Sequence, residues 1–496
     1  MITTLAVANC VHLLVTFLQR MRGGETRHDA MRESLRINLQ PIFLTSVTTA
    51  IGFLSMNFSD APPFRDLGNI VAIGVLASFV YCVALLPALM LGLPVRVKAT
   101  HNRSVAAMDR LADFVVTRRR PVLWIMALLV IGLIALVPRN QLNDEFVKYF
   151  DDSVQFRIDT DFTTSNLTGI YNIAYSLESG ESGGISEPAY LNKLEEFANW
   201  FRQQPEVLHV NSLSDTLKRL NQNLHADQPE WYRIPQRREL AAQYLLLYEM
   251  SLPYGLDLNN QINVDKSASK LDVTLKSVSS NRVIALEESA QQWLQQNAPP
   301  AMQVNGASPA IMFSHIGARN IHSMLGGTTV ALLLISFILV FALRSLRIGL
   351  ISIIPNLVPA AMAFGLWGML VGQVGLALSV VTGMTLGIVV DDTVHFLSKY
   401  LRARREKSLS PADAVRYAFH TVGTALWTTS IVLIAGFLVL TGSPFELNSG
   451  MGLLTAITIG LALLADFLLL PTLLMTLDKK ENYVSALVAD PAESAV

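Results

Sequence analysis

Charge is what this sequence has least of. Of its 496 residues only 16% are Asp, Glu, Lys or Arg, while 51% are hydrophobic. Soluble domains carry about 25% charged residues, and the mean hydropathy of +0.39 points the same way, so an ordinary soluble chain is excluded. Cysteine is scarce as well. Cys10 and Cys82 are too few for a disulfide framework. No basic residue precedes the first apolar run, so a cleavable secretory signal is not indicated. There is no Cys/His metal spacing, no Ser/His/Asp constellation and no phosphate-binding glycine loop. Neither an enzyme, a cofactor nor a metal is therefore expected, and nothing suggests a nucleic-acid partner.

What the chain has instead is apolar length. A run of roughly 17 to 25 apolar residues can cross a bilayer as a helix. Nine such runs occur, near 1–19, 41–58, 67–92, 121–138, 326–343, 348–371, 375–398, 424–442 and 449–475. A polar stretch at 139–322 holds most of the acidic charge. Basic residues gather in alternate connections: Arg20 to Arg36, Arg96 to Arg120, Arg344 with Arg347, and 399–416 with Lys399, Arg402, Arg404 and Arg405. The short alternate connections near 59–66, 372–374 and 443–448 hold a single basic residue between them, Arg65. The positive-inside rule then places the four basic loops in the cytoplasm and the 139–322 domain outside, periplasmic or extracellular. The expected organisation is a partial first membrane unit (1–92), a basic linker (93–120), one helix (121–138), the outer domain (139–322), five more helices (323–477) and a cytoplasmic tail (478–496).

The chain also repeats itself. VANCVHLL (7–14) parallels VDDTVHFL (390–397), LTSVTTAIGFL (44–54) parallels TTSIVLIAGFL (428–438), and LLPALM (85–90) parallels LLPTLLM (469–475). His12 and His395 stand 383 positions apart; Gly52 and Gly436, like Pro87 and Pro471, stand 384 apart. A spacing held over about 80 residues marks a duplicated unit. The second copy is preceded by one helix, an outer domain and two further helices; the first is preceded by nothing. The simplest expectation is a twelve-helix protein lacking its first three helices and first outer domain here. The alternative is a nine-helix protein completed by another chain.

The duplicated six-helix unit, the outer domain after its first helix and the helix GIVVDDTVHFLSKY (387–400) resemble the RND superfamily of transporters. NDEFVKYFDD (143–152) is similar to the MMPL-like exporter branch, whose helical unit resembles the sterol-sensing domain of Patched-like proteins. The resemblance implies an α-helical polytopic membrane protein with one α+β, ferredoxin-like porter domain. The residues of 139–322 agree. GIYNIAYSLES, VLHVNSL and SKLDVTLKSVS alternate as strands should, with helical faces at 187–205 and 281–297 and the segment MQVNGAS closing a second βαβ unit. The aromatic loop HADQPEWYRIPQRREL (225–240) reads as a substrate contact or, more simply, as a surface loop with aromatic anchors.

Acids inside an apolar helix are the sharpest feature. Residues four apart share a helix face, so Gly383, Gly387, Asp391 and His395 form one stripe with Asp392 beside it. The glycines favour a close helix crossing. An ionised Asp at mid-membrane costs about 2.5 to 3.5 kcal/mol. Two carboxylates away from water repel, so such a pair takes up and releases protons as its surroundings change. Asp391, Asp392, His395 and Asp466 are therefore the candidate proton-coupling residues, with Thr429, Ser430, Asn9 and His12 as supporting polar groups. The structural alternative is a polar cluster that locks helices together. Thr428 lies beside this set, and hydroxyls in helices often bond only their own carbonyls. His420 falls at the cytoplasmic boundary as a solvated side chain. In the first copy Ala8, Asn9 and Cys82 stand where Asp391, Asp392 and Asp466 stand in the second, so one pathway serves the molecule or coupling is impaired.

The resemblance implies a proton-driven exporter in an inner membrane, with membrane lipids, protons and a hydrophobic or lipidic cargo as partners. It leaves room for a homo-oligomer and a periplasmic adaptor. A lipid sensor without transport, or a motor for protein translocation, are the other readings.

Overall fold

The computed structural model describes residues 2–95, 103–253 and 255–478. Arg96, Lys98 and the tail beyond Asp478 lie outside the described residues. Two compact units emerge: Met1–Leu142 with Arg319–Val496, and Asn143–Ala318.

The first unit is helical. Nine of its helices are long and apolar enough to cross a membrane among the described residues: Ile2–Arg22, Arg27–Phe58, Pro62–Gly92, Arg119–Arg139, Pro309–Ala342, Leu346–Leu370, Leu376–Glu406, Pro411–Gly442 and Glu446–Leu477. They are called the first to ninth spans below. The chain is thus a polytopic helical membrane protein. The seventh span is the centre of the unit, with 94% of its most apolar stretch buried, whereas the fourth is 11% buried and peripheral.

Two local expectations change. The seventh helix runs on to Glu406 instead of ending near 398, because Tyr400, Leu401 and Ala403 continue its apolar face and are buried. Lys399, Arg402, Arg404 and Arg405 consequently belong to the helix and not to a loop. Part of the basic linker is helical. Arg103–Thr117 is an amphipathic helix that buries Ala112 and Val115 beside Ala418 and Val422 of the eighth span, with Asp113 bound to Arg416 at 2.8 Å.

The copies share an irregularity. Tyr81–Leu85 and Ala465–Leu469 each form a π-helical turn, 384 positions apart. Each precedes a proline (Pro87, Pro471) that lacks the N–H its turn requires, and a wider turn absorbs that loss.

The second unit is α+β. Strand Ala268–Leu275 lies between Tyr171–Glu178 and Val207–Asn211, antiparallel to both. A fourth segment adds one antiparallel bridge, Ala307 to Ala174, on the far side of the first strand. In chain order this is the 4-1-3-2 arrangement of a split βαβ fold. The segment MQVNGAS contributes only that bridge. Continuing that register would need an N–H from Pro309, which has none to donate, and a helix begins there instead. The alternation read in the sequence decides the faces: Ile173, Tyr175 and Leu177 point into the core with Leu271, Val273 and Leu275. Helix Pro188–Arg202 covers them with Tyr190, Leu191, Leu194, Phe197 and Phe201, and helix Ser280–Asn297 with Val283, Ala290 and Leu294.

Candidate functional site

The site is built where the second span crosses the seventh. A β-carbon on Gly52 would fall 2.8 Å from the Gly387 Cα, and one on Gly387 would fall 2.9 Å from the Thr49 Cα. Real side chains do not come that close, so the crossing exists because both positions are glycine. The Thr49 hydroxyl crosses the contact and donates to the Gly387 carbonyl at 2.8 Å. Gly383 sits one turn earlier against Ser55.

One turn beyond Gly387 the polar groups begin, and all are buried. Asp391 and Asp392 are 8% and 6% exposed, His395 and Asp466 0%. Asp391 borders a small cavity lined by Ala8, Asn9, Thr49 and Leu433. Ser430 donates to one Asp392 oxygen at 2.7 Å, and Thr429 approaches the other at 3.5 Å while also bonding the Ala425 and Leu426 carbonyls. The Thr393 hydroxyl donates to Asp466 at 2.8 Å. Thr428 bonds only its own helix, at the Thr424 carbonyl.

The two copies meet at their histidines. The His12 and His395 rings stack 3.6 Å apart, 3° from parallel. The duplication extends to their surroundings. Asn9 donates to Ser46 at 3.4 Å, as Ser430 donates to Asp392, and these residues are repeat partners. Cys10 and Cys82 are in side-chain contact, at the positions equivalent to Thr393 and Asp466. Gly436 packs on Thr4 where Gly52 packs on Gly387. The first copy keeps the geometry with uncharged groups.

Lys399 was missed as a member of this site. It extends the stripe by one more step of four, is 3% exposed, and donates to the Asn38 side chain at 3.0 Å. Asn38 is fixed in turn by Thr16 at 2.9 Å and by the Ser34 carbonyl at 3.0 Å. The spacing was the available signal; its neighbourhood of basic residues hid it.

Several polar atoms here have no hydrogen-bond partner: His12 Nε2, both His395 nitrogens, one Asp391 oxygen and one Asp466 oxygen. His395 Nε2 lies 3.5 Å from that Asp391 oxygen, too far for a well-formed bond. Each unpaired buried group costs about 1 to 3 kcal/mol, so the cluster is poised to gain partners. His12, Asp391 and His395 also offer three donor atoms within 4.8 Å of one another. Imidazole binds an ion in its ring plane, however, and two parallel rings cannot both do so without turning. The geometry shown suits a proton better than a metal ion.

Two other groups singled out in the sequence lie elsewhere. His420 is surface-exposed and pairs with Asp109 at 3.0 Å. In the aromatic loop, Trp231 stacks on His225, 3.7 Å away, and carries Arg233 4.4 Å from its ring, while Tyr232 receives Lys218. Those aromatic faces are occupied by their own neighbours.

Comparisons with known proteins agree with this architecture. The MMPL family model matches residues 4–123 and 258–486, more than half of the chain. A membrane protein of Methanocaldococcus jannaschii is 26% identical over 161 residues, covering 32% of this chain and 40% of its own. Among solved structures, the hedgehog release protein Disp of the water bear Hypsibius dujardini superposes with a TM-score of 0.61 at 16% identity, over 96% of this chain and 63% of that one. SecDF, in a super-membrane-facing form, superposes with a TM-score of 0.51 at 14% identity, over 98% and 54%. The chain thus spans between 40% and 63% of the length of these relatives. The structural likenesses speak to the fold alone. By the match of its sequence, the chain belongs to the MMPL family.

Proposed function

We propose that the protein is a proton-driven exporter of hydrophobic or lipidic molecules, seated in an inner membrane with its basic loops cytoplasmic and its α+β unit periplasmic. One observation carries the reading: Asp391, Asp392 and His395 are buried beside a glycine-mediated helix crossing, with Asp466 buried against the same helix through Thr393 and unpaired atoms on His395, Asp391 and Asp466. Acids in such a place are expensive unless they are used. A helix movement that opened the crossing alternately to either side would let Asp391 and Asp392 load and release protons. Each proton moving inward yields about 2.3 kcal/mol per 100 mV, enough for roughly a fifty-fold cargo gradient. His12 closes the site from the first copy, so one pathway serves both halves. The glycines hold the helices at contact distance, and Thr429 and Ser430 steady the acid that does not border the cavity.

The test uses bacterial cells producing the whole protein and loaded with Nile red, a hydrophobic dye. Efflux should stop on addition of a protonophore and in the Asp391→Asn/Asp392→Asn double variant, at unchanged protein level. Efflux that persists in the variant would overturn proton coupling through these residues. Undiminished dye retention by wild-type cells would count against an apolar cargo.

A further inference from the structure

On the side of the basic loops, an open groove of about 210 Å³ lies between the second, fifth and seventh spans. Its floor is apolar, made by Ile37, Pro41, Leu343 and Leu401, and its charged rim carries Arg36, Arg402 and Arg405 with one carboxylate, Glu406. Two of these guanidinium groups have carboxylate partners: Arg36 binds Glu33 and Arg402 binds Glu406, each at 2.7 Å. Arg405 does not. Its bonds go to the backbone carbonyls of Leu343, at 2.7 Å, and Arg344, at 3.3 Å, just past the end of the fifth span. Those carbonyls hold the guanidinium in place without carrying a formal charge to neutralise it. Beside the groove, on the faces of the same spans, Leu39, Phe43 and Phe341 are 43%, 50% and 79% exposed, as side chains facing acyl chains are.

We infer that this groove binds an anionic phospholipid of the leaflet next to the basic loops, its phosphodiester on Arg405 with Arg36 and Arg402 alongside and its acyl chains over Leu39, Phe43 and Phe341. A guanidinium presents a planar fork that matches phosphate oxygens. Basic pockets between membrane helices are where anionic headgroups settle. A small soluble anion would use the arginines and leave the apolar floor and flank uncovered; a phospholipid covers both. Arg402 and Arg405 lie on the helix that carries Asp391, so the lipid would rest on the last turns of the central span. The inference does not depend on proton coupling.

Native mass spectrometry of the purified full chain in detergent tests it, with an equimolar mixture of dioleoylphosphatidylglycerol and dioleoylphosphatidylcholine as probe. Wild type should retain the anionic lipid at least fivefold over the zwitterionic one. Arg402→Gln/Arg405→Gln should bring the two to within a factor of two, with an unchanged melting temperature in phosphatidylcholine showing an intact fold. Gln40→Trp fills the groove without altering charge and should do the same; it decides the matter if the arginine variant does not fold. Equal retention by wild type, a preference that survives in a folded variant, or displacement of the lipid by millimolar inorganic phosphate alone would each overturn the assignment.

Discussion

Among the hydroxyls of the eighth span, Thr428, Thr429 and Ser430 look alike in sequence and are not alike in place. Ser430 points at Asp392 and Thr428 at its own helix. Ser430→Ala removes a donor to a buried acid and should cost about 1 to 3 kcal/mol. Thr428→Ala should stay within about 0.5 kcal/mol. Thermal unfolding in detergent distinguishes the two. In the α+β unit, tyrosines offer a pH signature. Burial pushes the Tyr190 hydroxyl up to about 12 despite its contacts to Ser269, and burial likewise raises Tyr175 and Tyr149. A raised hydroxyl favours the fold below the unfolded value of about 10, and that contribution is lost as pH climbs through the folded value. Each such tyrosine removes about 1.4 kcal/mol per pH unit across that window. Denaturant melts at pH 9, 10 and 11, followed by the core tryptophans Trp200 and Trp293, should therefore show falling stability above pH 10. Tyr190→Phe should weaken the trend.

Between elements, the crossing of the second and seventh spans is the contact with least slack. Gly387→Ala places a methyl group 2.9 Å from the Thr49 Cα. Overpacking of that kind costs about 1 to 3 kcal/mol, and the helices must part at the turn before Asp391. Gly132→Ala, in the peripheral fourth span, meets nothing within 4 Å and should not lower the melting temperature. Spans and strands were legible in the sequence because hydrophobic period and length are local properties. Helix ends were less so. Lys399 reads as a loop residue beside Arg402, Arg404 and Arg405, yet the apolar residues between them keep the helix going, and Asn38, distant in sequence, supplies the partner that lets a lysine be buried. The fourth strand of the α+β unit failed for the opposite reason: its residues suit a strand, but a proline stands where the ladder needs a donor.

For the whole molecule, the duplication yields a further prediction. Ser46 accepts from the Asn9 amide, and its hydroxyl need only turn to donate to a carboxylate there as Ser430 does to Asp392. Asn9→Asp should therefore be tolerated, with a change below about 1 kcal/mol. Ala8→Asp sets a second buried carboxyl at the small cavity that Asp391 borders, where the two acids repel, and should cost about 1 to 3 kcal/mol; melting temperatures of the two variants in the same detergent decide. By itself the sequence determined the number of membrane-length helices, the duplication, the helix–strand order of the α+β unit and the stripe of glycines and acids, since each is a matter of periodicity along one chain. Only the tertiary structure decided that His12 stacks on His395, that Asp466 answers to Thr393, and that the first copy repeats these contacts with Asn9, Cys10 and Cys82. Those pairings join residues tens to hundreds of positions apart, and helix packing, not spacing, selects which of the many polar groups in the spans end up facing one another.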